Sequence, residues 1–506
     1  MRVLLINSPF KVKISKDSRW PEYTKSGTLY YPFWLAYATA VIMERGKHKP
    51  LLVDAIAKKM SFDDSIKKAK KFNPDLVVIE TSTPTAYSDV KFAELVKEEL
   101  GRDVYTALSG TLASSKPFEL IKMSDSIDFV IRGEYDYTID ELATVLEKGD
   151  DISKVLGLTY RNKKGIFNTP PRPLVTNLDD IPFVSKAYKK FLNVFDYRYA
   201  LARYPMLQTW TSRGCPARCN FCQYPQSFTM HLFRMRSPKN VVDEMEYIIE
   251  NLPAVKEIFF EDDTFTINQN RVMEICKEIK ERGLHKSGVV WSCNVRVQTK
   301  YETLKAMKDA GCRIVIVGYE SGNDQVLSNI RKGATVKEAR RFTLDAKRAG
   351  LRIFGCFMIG LSGDTRDSIM DTLKLAKDMN PDMAFFQQAV PFPGTEFYEW
   401  AKMNGYLVTE DWSQWLDSNG RLRCLVSYPW LKAEEIDKLR DKLMLEFYTN
   451  PKHIAQTIVK NLHPLEASRV AVYAFEYLKY LVKRKISPDG VVKQDFENFV
   501  GNNNIS

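Results

Sequence analysis

The stretch "TSRGCPARCNFCQYPQ", Thr211 to Gln226, places Cys215, Cys219 and Cys222 within eight residues. The whole chain of 506 residues holds only eight cysteines, so three crowded together need a reason. Their spacing is C-x3-C-x2-C, directly after a strand-like run. Three thiolates on a tight loop can ligate three irons of a [4Fe–4S] cluster and leave the fourth iron open. Zinc is the competing occupant, but structural zinc favours paired C-x2-C units and a fourth ligand, for which His231 is the candidate. Gly214 and Ala217 are small enough to let such a loop wrap closely. Phe221 can shield the bound group from water. The other cysteines, Cys276, Cys293, Cys312, Cys356 and Cys424, are scattered and do not read as a disulfide framework.

Around this loop the chain alternates strand and helix signals. "LQTWTS", "EIFFED", "VVWSCNV", "RIVIVGYE", "RIFGCFMIG" and "MAFFQQAV" are separated by helical patterns such as "VVDEMEYIIENL". Six β/α units over residues 206–410 predict a partial (β/α)6 barrel with its active residues at the C-terminal strand ends. Cys293 and Cys356 fall on these strands and read either as thiols facing the site or, more plainly, as buried inert thiols. Residues 1–150 show short, fully apolar strands alternating with helices, which predicts a doubly wound α/β domain. Its ligand belongs at the strand ends Asn7–Phe10, Thr81–Thr85, Ser109–Thr111 and Arg132–Glu134. Residues 151–205 read as a connector with a short hairpin around "LTYRNKKGIF", and residues 411–506 as a mostly helical region. The class is α/β throughout.

Hydrophobic content of 44% and charged content of 27% are those of a soluble globular protein. No apolar run of about 18 residues predicts a spanning helix. "MRVLLINSPFKVK" enters a strand at once, so no signal peptide and a cytoplasmic location are expected. The net charge of +11 is spread along the chain and reads as a solvated basic surface, or as contact with an anionic partner. No zinc finger, RNA-recognition motif or basic zipper is visible, so no nucleic acid is expected. The Lys-, Tyr- and Leu-rich tail, with "VAVYAFEYLKYLVKRKI", reads as a packed helix or as a basic amphipathic surface at the inner face of a membrane.

A C-x3-C-x2-C loop on the first strand of a β/α barrel resembles the radical S-adenosylmethionine (SAM) superfamily. "FFEDDTF", "GYESGN", "FGCFMIGLSGDT" and "VPFPGTEFY" follow in that family's order. The resemblance implies SAM contacts at Phe221, at Glu261, Asp262 and Asp263, at Glu320, at Gly355 and Gly360, and at Pro391. A helix N-cap by Asp263 or Thr264 is the plainer reading of that acidic run. The first domain resembles the cobalamin-binding domain of class B radical SAM enzymes. Thr81, Ser82 and Thr83, with Ser109, Gly110 and Thr111, match the loops that hold corrin and nucleotide tail there. The Asp-x-His-x-x-Gly motif is missing and His48 is the domain's one histidine, so cobalamin without a protein histidine on cobalt is implied. A domain that kept the fold and lost the cofactor is the competing expectation.

"YPFWLAYATA", "TSTPTAYSDVK", "RSPKNVVDEM", "WSCN" and "VGYESGN" together resemble the hopanoid-associated radical SAM proteins and the archaeal calditol synthases. That resemblance implies a 5′-deoxyadenosyl radical that takes hydrogen from a sugar on a membrane lipid, with closure to a cyclopentane polyol. Radical methylation with cobalamin, or ring formation in the lipid core chains, are the alternatives. The partners implied are a lipid with a sugar headgroup, a reductant such as ferredoxin or flavodoxin, and peripheral contact with the membrane. The aromatic loop Arg19 to Trp34 reads equally as lipid contact or as packing on the barrel.

Overall fold

The computed structural model describes residues 1–19, 21, 27–199, 202–418 and 420–460. Its first sheet contains β1 (Arg2–Asn7), β2 (Lys49–Asp54), β3 (Leu76–Glu80), β4 (Tyr105–Ser109), β5 (Phe129–Ile131), β6 (Leu158–Asn162) and β7 (Gly165–Asn168). Their order is β2-β1-β3-β4-β5-β6-β7. The first five run parallel. "LVVIE" of β3 is buried along its whole length, as a strand covered on both faces must be. The order reverses between β1 and β3, which opens the switch-point crevice at their C-terminal ends. The predicted hairpin is present, but it is not part of a connector. It extends the first sheet, with β6 antiparallel to β5 and Ile131 opposite Leu158. A three-residue edge strand leaves backbone groups unpaired, and the hairpin satisfies them.

The second sheet begins at β8 (Met206–Thr209). A short antiparallel pair, β9 (Ser212–Arg213) and β10 (Arg234–Met235), rims the cysteine loop. Then come β11 (Glu257–Phe260), β12 (Val290–Val295), β13 (Cys312–Glu320), β14 (Arg352–Ile359) and β15 (Met383–Gln388). Six parallel strands lie in the order β8-β11-β12-β13-β14-β15, a barrel left open between its first and last strands. Thr335 and Thr365 cap the helices Val336–Arg348 and Arg366–Met379 with full capping boxes. The helix after β11 starts at Gln269 with Asn268 as its cap, not at Asp263 or Thr264.

The two sheets share one apolar core. Helix Phe33–Arg45 of the first unit ends at Gly46 in the left-handed region. It presents Trp34 to Trp210, with ring centroids 4.7 Å apart, and to Phe228 at 4.6 Å. Burying each such aromatic contributes roughly 2–3 kcal/mol. The Arg213 guanidinium lies over Trp34 and Tyr37 and makes two bonds to Asp136, at 2.7 and 2.8 Å. Breaking so buried a pair costs about 3–5 kcal/mol, so it locks the cysteine loop to the first unit.

Residues 411–432 depart from the helical expectation. The described residues there form one 3-10 turn, Trp412–Gln414, and otherwise irregular chain with isolated bridges, Leu407 to Val426 and Leu416 to Leu422, and they bury Trp415 and Tyr428. Helices Ala433–Tyr448 and Pro451–Lys460 follow. The stretch "VAVYAFEYLKYLVKRKI" lies outside the described residues, as do Trp20 and residues 22–26 of the aromatic loop. Among the described residues no helix is long and apolar enough to cross a membrane.

Candidate active site

The cysteine loop is held from below and behind. Gly214 has φ 81°, and a Cβ there would collide with the Leu232 carbonyl oxygen, so only glycine fits. Gln226 Nε2 donates to the carbonyls of Cys219, Asn220 and Cys222 at 3.1, 3.0 and 2.9 Å. Its Oε1 accepts from the Glu396 amide at 2.8 Å. The His231 ring faces the Cys215 carbonyl oxygen at 3.2 Å and not a thiol, which leaves zinc without its candidate fourth ligand. Among the described residues no three His, Cys, Asp or Glu side chains close round a single ion.

Burial pushes the Cys215 and Cys222 thiols up, and their neighbouring thiols add to it. Arg296 opposes this at Cys215 and Arg19 at Cys222, while Glu320 and Cys219 favour the charged form of Lys332. Three thiols on one loop, with cations nearby and, among the described residues, no three ligands set round a single ion, fit a multi-iron group bound by thiolates. Phe221 is buried beside them.

The three adjacent carboxylates after β11 separate into different tasks. Asp262 accepts from the Thr211 amide at 2.6 Å and from the Thr211 and Ser212 hydroxyls at 2.5 Å each. Three hydrogen bonds commit it to holding the chain that leads into the loop. Asp263 accepts from the Gly214 amide at 3.1 Å and from Arg19 at 2.9 Å. Glu261 accepts from Arg19 at 2.7 Å, while its Oε2 is buried without a partner. Burial raises the Glu261 carboxyl to about 7, with Arg19 opposing. Arg19 was not among the residues expected at the site. It reaches from the first unit across to the barrel mouth, so the part of the aromatic loop that is described packs on the barrel.

Glu320 ends β13 at φ 61°, an uncommon conformation for a side chain of this size. It binds Lys332 Nζ at 2.5 Å, and a Cβ at Gly318 would strike the same carboxylate. Such strain persists where the surroundings over-determine it, often at functional sites. The Cys356 thiol shares its field with Glu320, Lys332, Arg19 and Glu261, so it faces the barrel interior. Cys293 instead meets Cys312 and Cys276. Gly355 and Gly360 each have a packing reason. A Cβ at 355 would crowd the Tyr319 and Phe357 rings, and one at 360 would sit 3.2 Å from Ile436. Pro391 is buried after β15.

At the other sheet, the loops expected to hold cobalamin converge. The Thr81 and Thr83 hydroxyls are buried without partners. Ser82 is bound to Thr85 at 3.0 Å, and Ser109 donates to Glu80 at 2.9 Å. Gly110 has φ 110°, and a Cβ there would collide with the Thr81 carbonyl oxygen. Thr111 opens the helix Thr111–Ser115. Glu80, also unexpected, accepts from Tyr135 as well, and burial raises it to about 7. His48 is at the far end of the sheet, 3.0 Å from the Met1 amine and 2.9 Å from Thr144. Two orphaned hydroxyls beside a glycine cradle suit a polar ligand tail.

Residues 211–376 match the radical SAM superfamily. A protein of Pyrococcus horikoshii described as an uncharacterized methyltransferase is 33% identical over 96% of this chain and 97% of its own. The anaerobic magnesium-protoporphyrin IX monomethyl ester cyclase of Rubrivivax gelatinosus is 28% identical over 73% of this chain and 66% of its own. Among solved structures, the radical SAM methyltransferase TsrM of Kitasatospora setae, with cobalamin and a [4Fe–4S] cluster bound, superposes with a TM-score of 0.66. That match is 17% identical and covers 89% of this chain and 90% of TsrM. The chain belongs to the radical SAM superfamily. It is a radical SAM enzyme, and a [4Fe–4S] cluster and SAM are its cofactors.

Proposed function

We propose that the protein is a cobalamin-dependent radical SAM enzyme that forms a carbon–carbon bond at an unactivated carbon, by methyl transfer. The observation that carries this is the pairing of two sites at strand ends. One is the three-thiol loop braced by Gly214 and by the Gln226 amide. The other is a glycine cradle with the orphaned Thr81 and Thr83 hydroxyls. The names of the Pyrococcus relative and of TsrM favour methyl transfer over the ring closure expected from the sequence, since neither carries a cyclitol or a lipid.

When bound, the cluster with SAM supplies a 5′-deoxyadenosyl radical, and cobalamin supplies a methyl carrier. The chain's own work is to bind, orient and exclude water. Cys215, Cys219 and Cys222 hold the cluster. Glu261, through its free Oε2, and Asp263 accept hydrogen bonds from the ammonium of SAM. Glu320, with Lys332 behind it, orients the far side of the same molecule. Thr81, Thr83 and Gly110 receive the polar tail of the corrin. Trp34, Trp210 and Phe228 seal the space between the sheets against water, which strengthens every charge interaction inside.

One observation favours a second reading, closure of a sugar on a membrane lipid to a cyclopentane polyol. Ring closure leaves a radical on the product that must receive a hydrogen atom, and a thiol inside the barrel, Cys356, can give one. Methyl transfer has no such need. Incubation of the reconstituted enzyme with SAM, cobalamin, reductant and an extract of polar lipids separates the two. Methyl transfer yields S-adenosylhomocysteine together with 5′-deoxyadenosine, and ring closure yields 5′-deoxyadenosine alone. Absence of S-adenosylhomocysteine while lipid is converted overturns the first reading.

A further inference from the structure

Residues 230–236, just after the cysteine loop, have an inverted pattern. Met230, Leu232 and Met235 are 46%, 53% and 41% exposed. Arg234 and Arg236, between and beside them, are buried, where they pair with Glu134 and Glu244. A segment that buries its arginines and exposes its long apolar side chains marks a contact surface better than a fold requirement.

This segment lies directly against the cluster-binding loop. Arg213 pairs with Arg234 and Ser212 with Met235 across β9 and β10. The Leu232 and Met230 carbonyls crowd Gly214, and His231 meets the Cys215 carbonyl oxygen. The exposed side chains are therefore separated from the thiols by little more than one strand of backbone. Arg218, between Cys215 and Cys219, is exposed as well and has no hydrogen bond or ion pair among the described residues.

We propose that Met230, Leu232, Met235 and Arg218 form the docking surface for a small acidic one-electron carrier of the ferredoxin or flavodoxin type. The proposal rests on the assignment of a cluster to the three cysteines. The exposed Arg218 beside these apolar side chains attracts an acidic partner to this face. Methionine side chains adapt to a partner that must leave again. Electron-transfer encounters bury less than about 1,200 Å² in total, which suits a patch of this size. In the encounter one electron passes from the reduced carrier to the cluster held by the three thiols. The carrier is oxidised by one electron, the cluster is reduced by one, and no bond or proton changes hands.

The test uses the full, anaerobically reconstituted protein and compares Leu232→Asp with the parent. Cluster reduction is followed by stopped-flow absorbance, driven either by a reduced ferredoxin or by titanium(III) citrate. The expected result is a fall of about tenfold or more in the ferredoxin-driven rate, with the citrate-driven rate and iron content retained. Ferredoxin affinity, measured by titration at two salt concentrations, falls in parallel. An unchanged ferredoxin-driven rate overturns the proposal. So does loss of flotation with anionic phospholipid vesicles while the ferredoxin-driven rate is kept, because the face then belongs to a membrane. If Leu232→Asp fails to take up iron, Met230→Asp decides by the same readouts, since aspartate tolerates the left-handed backbone at 230. Failure of titanium(III) citrate to reduce the parent would instead remove the cluster assignment itself.

Discussion

Replacing Gln226 by methionine removes one amide that does the work of several hydrogen bonds and changes little in volume. Its NH2 group has two hydrogens for the carbonyls of Cys219, Asn220 and Cys222, and its oxygen takes the Glu396 amide. Counting two good donated bonds and one accepted, each worth about 1 kcal/mol net, the loop loses about 3 kcal/mol of order. At 1.4 kcal/mol per tenfold, the closed loop becomes about a hundredfold less populated relative to open forms. The three thiols then no longer stand ready together. The assay is the rate at which a chelator strips iron from the reconstituted protein, with iron content measured before. Gln226→Met is expected to load iron poorly and to lose it one to two orders of magnitude faster. Gln226→Glu should be worse, since it aims a negative charge at three carbonyl oxygens beside thiolates. Iron content and chelator resistance within about twofold of the parent would refute the assignment of this glutamine as the strut of the loop.

Asp262→Asn removes the acceptor for at least one of the Thr211 and Ser212 hydroxyls, and should lower the melting temperature of the iron-free protein. Asp263→Asn also weakens its pair with Arg19, but should weaken SAM binding, read by isothermal titration, far more than Asp262→Asn does. Equal effects of the two would show that the carboxylates do not divide as described. Asp364 is buried and raised to about 6, so in the fold it keeps a proton that the unfolded chain has already released. Stability is therefore greatest at low pH in this window, falls as pH rises from about 4 to 6, and is level above; the loss is at most about 3 kcal/mol. Asp364→Asn should flatten that part of a melting curve series, and an unaltered slope would count against it. Arg19→Ala leaves Glu261 and Asp263 without their cation and should raise the apparent pKa of Glu261, seen as a SAM affinity that improves only toward alkaline pH.

What could be read from the chain alone follows a physical division. The strands were legible because the parallel strands of both sheets are covered, so each is a largely apolar run such as "LVVIE" or "RIVIVGYE". The cysteine loop was legible because its ligands are local. The hairpin 158–168 was placed in a connector because which edge a strand pairs with is not written in the strand. Glu261, Asp262 and Asp263 could not be told apart by position, since their difference lies in which way each side chain leaves the strand end. Arg19 was missed because its partner Glu261 is 242 residues away, and Lys332 because its ion pair depends on the strained turn at Glu320. Thr81, Thr83 and Gly110 were found from a loop pattern, but the empty hydrogen-bonding capacity that gives them meaning exists only in the fold.

The most direct test of the central claim is reductive SAM cleavage by the anaerobically reconstituted full chain with titanium(III) citrate and no added substrate. 5′-Deoxyadenosine and methionine are expected in equal amounts, with formation abolished in Cys219→Ala although that variant still folds. Undiminished 5′-deoxyadenosine from Cys219→Ala, or none from a parent protein that carries its iron, would contradict it.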